Sequence, residues 1–504
     1  MSDSESEAVG ESMDFLGVLS QGEVVGAQTG AAAALANANS ANVPPAVPAS
    51  ASASAPAAVP APVTVQVPAL IPNPRDATGQ DKRLRVLLCG TYPIGQSNGY
   101  SRVVYYIAKF LGAKTECSLE IYGFQNYGQT KGGDARADLP KGVFLHDALA
   151  HESPRRHGFG EKEIAAYIKA RPQDIVIIFN DMIVTSALVA TLKAELTPAE
   201  RASFKLVSYM DQVYPYQKKM YINVINENFD AVVAFTPYWR DVARSLGVKL
   251  PMYVFPHGFD PELYYPIPRD LARIYYNIPS NAFVILNLNR NQPRKRWDHT
   301  IMALADVVAR HQALLKTAPA KAARPIVLMI ATQVDGFWNL TEIFEHELMK
   351  RGINWETGKK YIVSLAKPQQ MSDTEINVLY NASDIGLNTC EGEGFGLCQF
   401  EHAAIGCPQV VANIGGFKEF LNAGNSTLVE PKWAYYIDKQ RDGIGGYAEV
   451  ADPKDVADAI WKYYTNPAMV VKHGKKARGE ILRHYRWETM VDYFYKELEH
   501  LMGV

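Results

Sequence analysis

A chain of 504 residues that is 47% hydrophobic and 21% charged carries enough apolar material for two or three ordinary domains, each with its own core. Its formal net charge of -2 argues against a protein that coats a polyphosphate backbone, which needs a strongly basic surface. Its five cysteines (Cys89, Cys117, Cys390, Cys398 and Cys407) are an odd number without C-x-x-C spacing, so they suggest neither a disulfide framework nor a tetrahedral zinc site, and a reducing compartment fits best.

The chain opens acidic, as MSDSESE, and its first basic residue is Arg75, so neither a secretory signal nor an Arg-rich transit peptide is expected and the location reads as cytoplasmic. From Gly22 to Pro74 the sequence is dominated by Ala, Pro, Ser, Val and Asn, which offer too little large apolar surface to offset the entropy of ordering them. Residues 1–80 are therefore expected to form a disordered tail, a solvated spacer. No apolar run approaches the roughly 20 residues that cross a bilayer. No transmembrane segment is expected, while a peripheral membrane contact stays open.

Order is expected from Leu84, where RLRVLLCG reads as a buried strand closed by Gly90, followed by the loop TYPIGQSNG and the apolar-periodic helix SRVVYYIAKFL. Strands follow at 174–179 (DIVIIF), 204–210 (FKLVSYM) and 231–236 (AVVAFT), the last leading into a helix over 238–246. After the connector FPHGFDPELYYPIPRD a second series begins, with strands at 283–289, 325–331, 361–365, 384–389 and 408–413 and a helix at 299–311. Strands alternating with helices imply parallel sheets covered on both faces. The expected architecture is α/β, with two doubly wound Rossmann-like domains over residues 81–265 and 266–485. A last helix, within 486–504, packs back on the first domain. Two such sheets facing one another leave a cleft that can close on a ligand.

The sharpest constellation is TCEGEGFGLCQFEHAAIGCP, where a strand ends in a glycine-rich loop and Glu393 precedes Glu401 by eight positions. A helix starting near Leu397 or Cys398 exposes the amides of Phe395, Gly396 and Leu397, which attract a phosphate through unpaired N–H groups and the helix dipole. Glu401, one turn in, suits a ribose diol. The second cluster, LNLNRNQPRKRWDH, places Arg290, Arg294, Lys295 and Arg296 within seven residues at a strand's carboxyl end. Arg forks and a Lys point charge there neutralise a departing diphosphate. In the third, NIGGFKEF, Gly415 and Gly416 let the backbone approach a ligand, with Glu419 just beyond. Asp211 and Asp181 follow first-domain strands and serve either as cleft residues or as helix caps. His257 reads as a structural residue of the interdomain turn.

Taken together, EGFGLCQFE, the Arg290 to Lys295 spacing and G-G-x-x-E resemble the retaining glycosyltransferases of family 4 (glycosyl transferases group 1, GT-B fold), over about residues 84 to 500. The resemblance implies a nucleotide-sugar donor, UDP- or GDP-hexose, with no further cofactor. It gives Gly99 to the donor phosphates, Arg290 and Lys295 to the diphosphate, Glu401 to the ribose, and Glu393 with the amides of 395 to 397 to the sugar. Front-face substitution follows, with Glu393, Arg290, Lys295 and Asp211 as the catalytic candidates. The chain has no D-x-D metal signature, so no metal is expected. It departs from the family twice: where a His is common, Met210 and Asp211 or Asn180 and Asp181 stand instead, and Arg296 replaces a Gly after the Lys. The rival readings are a sugar-nucleotide-binding scaffold that has lost transfer, and an epimerase or phosphorylase on the same fold. TYPIGQSNG lacks the G-x-G-x-x-G of a dehydrogenase. The acceptor, whether glycan, lipid, protein or small molecule, is not legible, and no nucleic-acid signature is present.

Overall fold

The computed structural model describes residues 83–503 except 97, 128–135, 137, 153–156, 318–322, 366–370 and 438–443. The Ala/Pro-rich segment read as a tail over residues 1–80 lies outside the described residues.

Two parallel sheets organise the chain. The first contains β1 (Leu84–Thr91), β2 (Cys117–Phe124), β3 (Phe144–Asp147), β4 (Ile175–Asn180), β5 (Lys205–Met210), β6 (Ala231–Ala234) and β7 (Met252–Val254), in the order β3-β2-β1-β4-β5-β6-β7. The second contains β8 (Phe283–Asn287), β9 (Ile326–Ile330), β10 (Ile362–Ser364), β11 (Ile385–Asn388), β12 (Gln409–Ala412) and β13 (Thr427–Val429), in the order β10-β9-β8-β11-β12-β13. A separate antiparallel pair, β14 (Pro431–Ile437) and β15 (Gly446–Ala451), follows.

The apolar runs explain the layering. Every residue of β4 is buried, as a strand covered by helices on both faces requires. Alternation sends Ile175, Ile177 and Phe179 into the core that runs on to the second sheet. Val176 and Ile178 fill a smaller core on the opposite face. In both sheets the strand order reverses beside the first strand, between β1 and β4 and between β8 and β11. Such switch points open a crevice at the carboxyl ends of the strands. The two loops singled out by sequence, after β8 and after β11, leave the two strands that flank the second crevice.

The polypeptide passes from the first sheet to the second after β7 and returns in front of the final helix, Trp487–Met502. The two crossings lie side by side: the Phe259 amide donates to the Tyr485 carbonyl (2.6 Å) and the Trp487 amide to the Phe259 carbonyl (3.4 Å). At Gly258 a Cβ would stand 2.6 Å from the Trp487 nitrogen, so only glycine permits this approach. The final helix then lies on first-domain elements, with Trp487 stacked on Tyr106 (4.9 Å) and Phe494 on Phe255 (4.3 Å). No helix among the described residues is long and apolar enough to cross a membrane.

Candidate functional site

The β11 loop takes its shape from three glycines, each with a neighbour where a side chain would stand. A Cβ at Gly392 would press into the Tyr214 ring, one at Gly394 would stand 2.5 Å from the Asp211 carboxylate, and one at Gly396 would meet Phe417. Gly396 also has φ +90°, a left-handed conformation that favours glycine, and caps the helix Leu397–Ala404 with no side-chain hydrogen bond. The helix starts where its sequence implied, with its first-turn amides left to other partners. Gly99, the first residue of the helix Gly99–Leu111, comes to it from the other domain, its Cβ position 3.3 Å from Leu397. The Trp239 indole, also from the first domain, donates to the Gly394 carbonyl (2.5 Å).

Glu393 is buried and ion-paired within its own domain. Lys295 Nζ lies 2.5 Å from one carboxylate oxygen and an Arg294 nitrogen 3.8 Å from the other. Burial alone pushes the Glu393 carboxyl up, but Lys295 and Arg294 outweigh it and hold the group below its ordinary value. Arg294 also donates to the Gly392 carbonyl (3.0 Å). Arg290 is exposed. Pro293–Lys295 forms a single 3-10 turn, and Arg296 follows at φ +48°. Arg296 thus adopts a conformation that favours glycine. Its guanidinium is held by Asp298 (2.9 Å) and Glu391 (3.1 Å).

Across the seam, Asp211 sits at the end of β5 against Gly394 and accepts the Tyr100 hydroxyl at 2.5 Å. Burial pushes its carboxyl up to about 6, against the pull of Tyr100 and Arg294. Asp181 instead caps the helix Met182–Glu195, accepting the amides of Ile183 and Val184.

Glu401 lies in a different setting. Both of its oxygens accept from Arg102 Nη1 (2.6 and 2.7 Å), and one also accepts the Tyr380 hydroxyl (2.9 Å). Arg102, from the first domain, reaches Asp373 as well (2.9 Å), and Asp373 further accepts from Arg136 (3.1 Å) and the Tyr264 hydroxyl (3.0 Å). Burial works against the charge on Arg102, but Glu401, Tyr264 and Asp373 outweigh it and hold the guanidinium charged.

Gly415 and Gly416 are occupied by the chain itself. The Gly416 amide donates to the Glu393 carbonyl (3.0 Å), and a Cβ there would stand 2.6 Å from Phe395 Cα. They buttress the glycine loop from behind. Glu419 accepts the Tyr485 hydroxyl (2.9 Å), at the return crossing. His257 is buried among Phe235, Phe395 and Trp487, with burial depressing its pKa to about 3. The five cysteines are unpaired. Among the described residues no group of three His, Cys, Asp or Glu side chains has the arrangement to hold a metal.

Lys295, Glu393, Asp211, Gly99 and the start of the 397 helix therefore converge, with Gly415 and Gly416 packed on the backbone of the same loop; Arg290 is exposed and Glu419 lies at the return crossing. Sequence reasoning missed Arg102, Asp373, Tyr100 and Trp239. The one local signal was a charge, Arg102, in the first turn of the apolar-periodic helix Gly99–Leu111.

Two facing doubly wound domains with the site between them define the GT-B fold of glycosyltransferases. The architecture matches sucrose-phosphate synthase from Thermosynechococcus elongatus (TM-score 0.60, 15% identity, 84% of this chain and 100% of that one). It also matches Anabaena Alr3699/HepE, solved with UDP and glucose (TM-score 0.56, 16% identity, 83% and 100%). Residues 278–494 match the family described as "Family 4 Glycosyltransferase in conflict systems". Curated relatives include D-inositol 3-phosphate glycosyltransferase 1 of Catenulispora acidiphila, 30% identical over 268 residues (52% of this chain, 55% of that one). Another is the D-inositol 3-phosphate glycosyltransferase of Gordonia bronchialis, 23% identical over 269 residues (53% and 50%). The chain thus spans about half the length of these relatives.

Proposed function

We propose that the protein is a retaining glycosyltransferase that moves a hexose from a UDP- or GDP-sugar to an acceptor hydroxyl by front-face substitution. The observation that carries this reading is the meeting of Lys295 and Arg294 with Glu393 at the second switch point, against Asp211 of the first domain. Two cations held near a buried carboxylate are ready to exchange it for a diphosphate, whose charge grows as the sugar departs. The bond from the anomeric carbon to the phosphate oxygen breaks as the bond to the acceptor oxygen forms on the same face. The acceptor proton passes to the leaving phosphate oxygen. Glu393, released from Lys295, holds the sugar hydroxyls, and Asp211 orients the acceptor. UDP is the first nucleotide to try, because a structure of this fold was solved with it.

A second reading, a nucleotide-sugar-binding scaffold, draws on one observation: Arg102 and Tyr380 already occupy Glu401, the residue matched to the ribose. Calorimetric titration of the full chain with UDP, GDP and their hexose conjugates, beside Arg294→Ala/Lys295→Ala, separates these readings. Binding that the double variant abolishes, with slow release of hexose of unchanged anomeric configuration, supports transfer. Binding without any turnover supports the scaffold. Absence of binding by every nucleotide defeats both.

A further inference from the structure

The antiparallel pair β14–β15 lies outside both parallel sheets, inserted between β13 and the helix Pro453–Thr465. One of its faces is buried on the seam between the domains, where Ile437 and Ala448 pack with Val213 and Tyr214 of the loop after β5. It is pinned beside the glycine loop, since the Tyr435 hydroxyl donates to Glu391 Oε2 (2.5 Å) and the Glu449 amide to the Glu391 carbonyl (3.1 Å). That anchor lies two residues before Glu393.

The other face is open. Register pairs Tyr436 with Tyr447 and Ala434 with Glu449, so the two-residue period of strands sets these four on one side. Tyr436 and Tyr447 are 49% and 46% exposed, and Tyr216, from the first-domain loop, is 36% exposed. The three rings form a cluster, with centroids 5.8 Å apart for Tyr436 and Tyr447, and 6.2 and 6.0 Å from Tyr216 to each. They meet at steep angles of 67° to 85°, edge toward face. Three aromatic rings gathered from two domains and left half in water are a surface shaped for a partner.

Position says which partner. Tyr216 follows Asp211 by five residues, and Tyr214 between them packs on Gly392. The cluster therefore borders the Glu393 end of the site and continues the buried seam outward, while the nucleotide is assigned to the Glu401 end. The molecule that approaches over these rings is the acceptor. Its chemistry follows from the surface: half-exposed aromatic rings set edge to face, each carrying a phenol hydroxyl, with Glu449 on the same side of the hairpin. A pyranose has the complementary form, with C–H groups on its face to lie on one ring and hydroxyls around its edge. An acyl chain would leave the phenol hydroxyls unmatched, and an anionic acceptor would face Glu449. We infer that Tyr216, Tyr436 and Tyr447 form a stacking platform for a saccharide acceptor, an inference that rests on the transferase reading of the site.

The test uses the full chain with cellotetraose, maltotetraose, chitotetraose and mannotetraose as probes, followed by saturation-transfer NMR. Nucleotide affinity is measured in parallel by calorimetry. At least one tetrasaccharide is expected to bind. Tyr436→Ala and Tyr447→Ala should weaken it about tenfold, the loss of one stacked ring. Tyr436→Phe and Tyr447→Phe, which keep the ring, should stay within about threefold. Unchanged melting temperatures verify that the exposed substitutions leave the fold intact. If no tetrasaccharide binds, or if the alanine variants bind as well as wild type, the platform is overturned, whatever the nucleotide does. If saccharide binding depends on the tyrosines but no nucleotide binds, the platform stands and the transferase reading falls.

Discussion

Glu393 and Glu401 belong to one motif, yet they sit in opposite kinds of environment. Glu393 is neutralised from inside its own domain by Lys295 and Arg294, on a loop that leaves the adjacent strand. Glu401 is neutralised from the other domain by Arg102, in a network that also holds Asp373, Arg136, Tyr264 and Tyr380. A ligand can take the cations of the first pair without moving the domains. A ligand that takes Glu401 has to break or rearrange a contact between them. On the transferase reading proposed above, the Glu393 end serves the chemistry and the Glu401 end couples occupancy to closure.

Removing Arg102 breaks that comparison hardest. Arg102→Met leaves Glu401 buried without its cation and Asp373 still paired with Arg136, and should cost about 3–5 kcal/mol in denaturant unfolding. Pairing it with Glu401→Gln should recover part of that loss. On the other side, Arg294→Ala/Lys295→Ala should lower the transfer rate about 10² to 10³-fold, the scale for losing a preorganised charge partner in the transition state.

Asp211 sharpens the contrast through pH. Its carboxyl is raised to about 6, so it is ionised above that value and protonated below it. Transfer that uses the ionised form should fall about tenfold between pH 7.5 and pH 5. Asp211→Asn should give a lower profile without this step. The smallest effect is expected at Trp239→Phe, which removes the indole bond to the Gly394 carbonyl while keeping the packing. A loss of about 1 kcal/mol in stability is the expected outcome.

The parts legible in the sequence are those whose cause is local. The buried strands β4, β5, β8 and β11 were readable as apolar runs because each is covered on both faces, and their ends agree within one or two residues. β2 escaped because it carries a charge mid-strand, Glu120, which makes sense only beside its partner Arg171 (2.6 Å) from a distant helix. β3 is four residues long and half-buried, and β14 is exposed along most of its length, so neither reads as a strand covered on both faces. The glycine loop and the start of the 397 helix were legible because glycines and a helix start are local signals. Arg102 and Asp373 were not, because their partners lie 299 and 271 residues apart along the chain. The left-handed turn at Arg296 is likewise announced by no composition rule.

The paired crossings at Phe259 and Tyr485 to Trp487 have a mechanical consequence. A body joined to another by one strand can swivel in any direction. Joined by two strands that are hydrogen-bonded to each other, it keeps one easy axis, along the line between the attachments. Motion about that axis opens and shuts the far edge while the near edge barely shifts. The contacts of Gly394 with Trp239 and Asp211 and the Arg102–Glu401 pair, which cross between the domains, then travel together on each swing, as two points on one door.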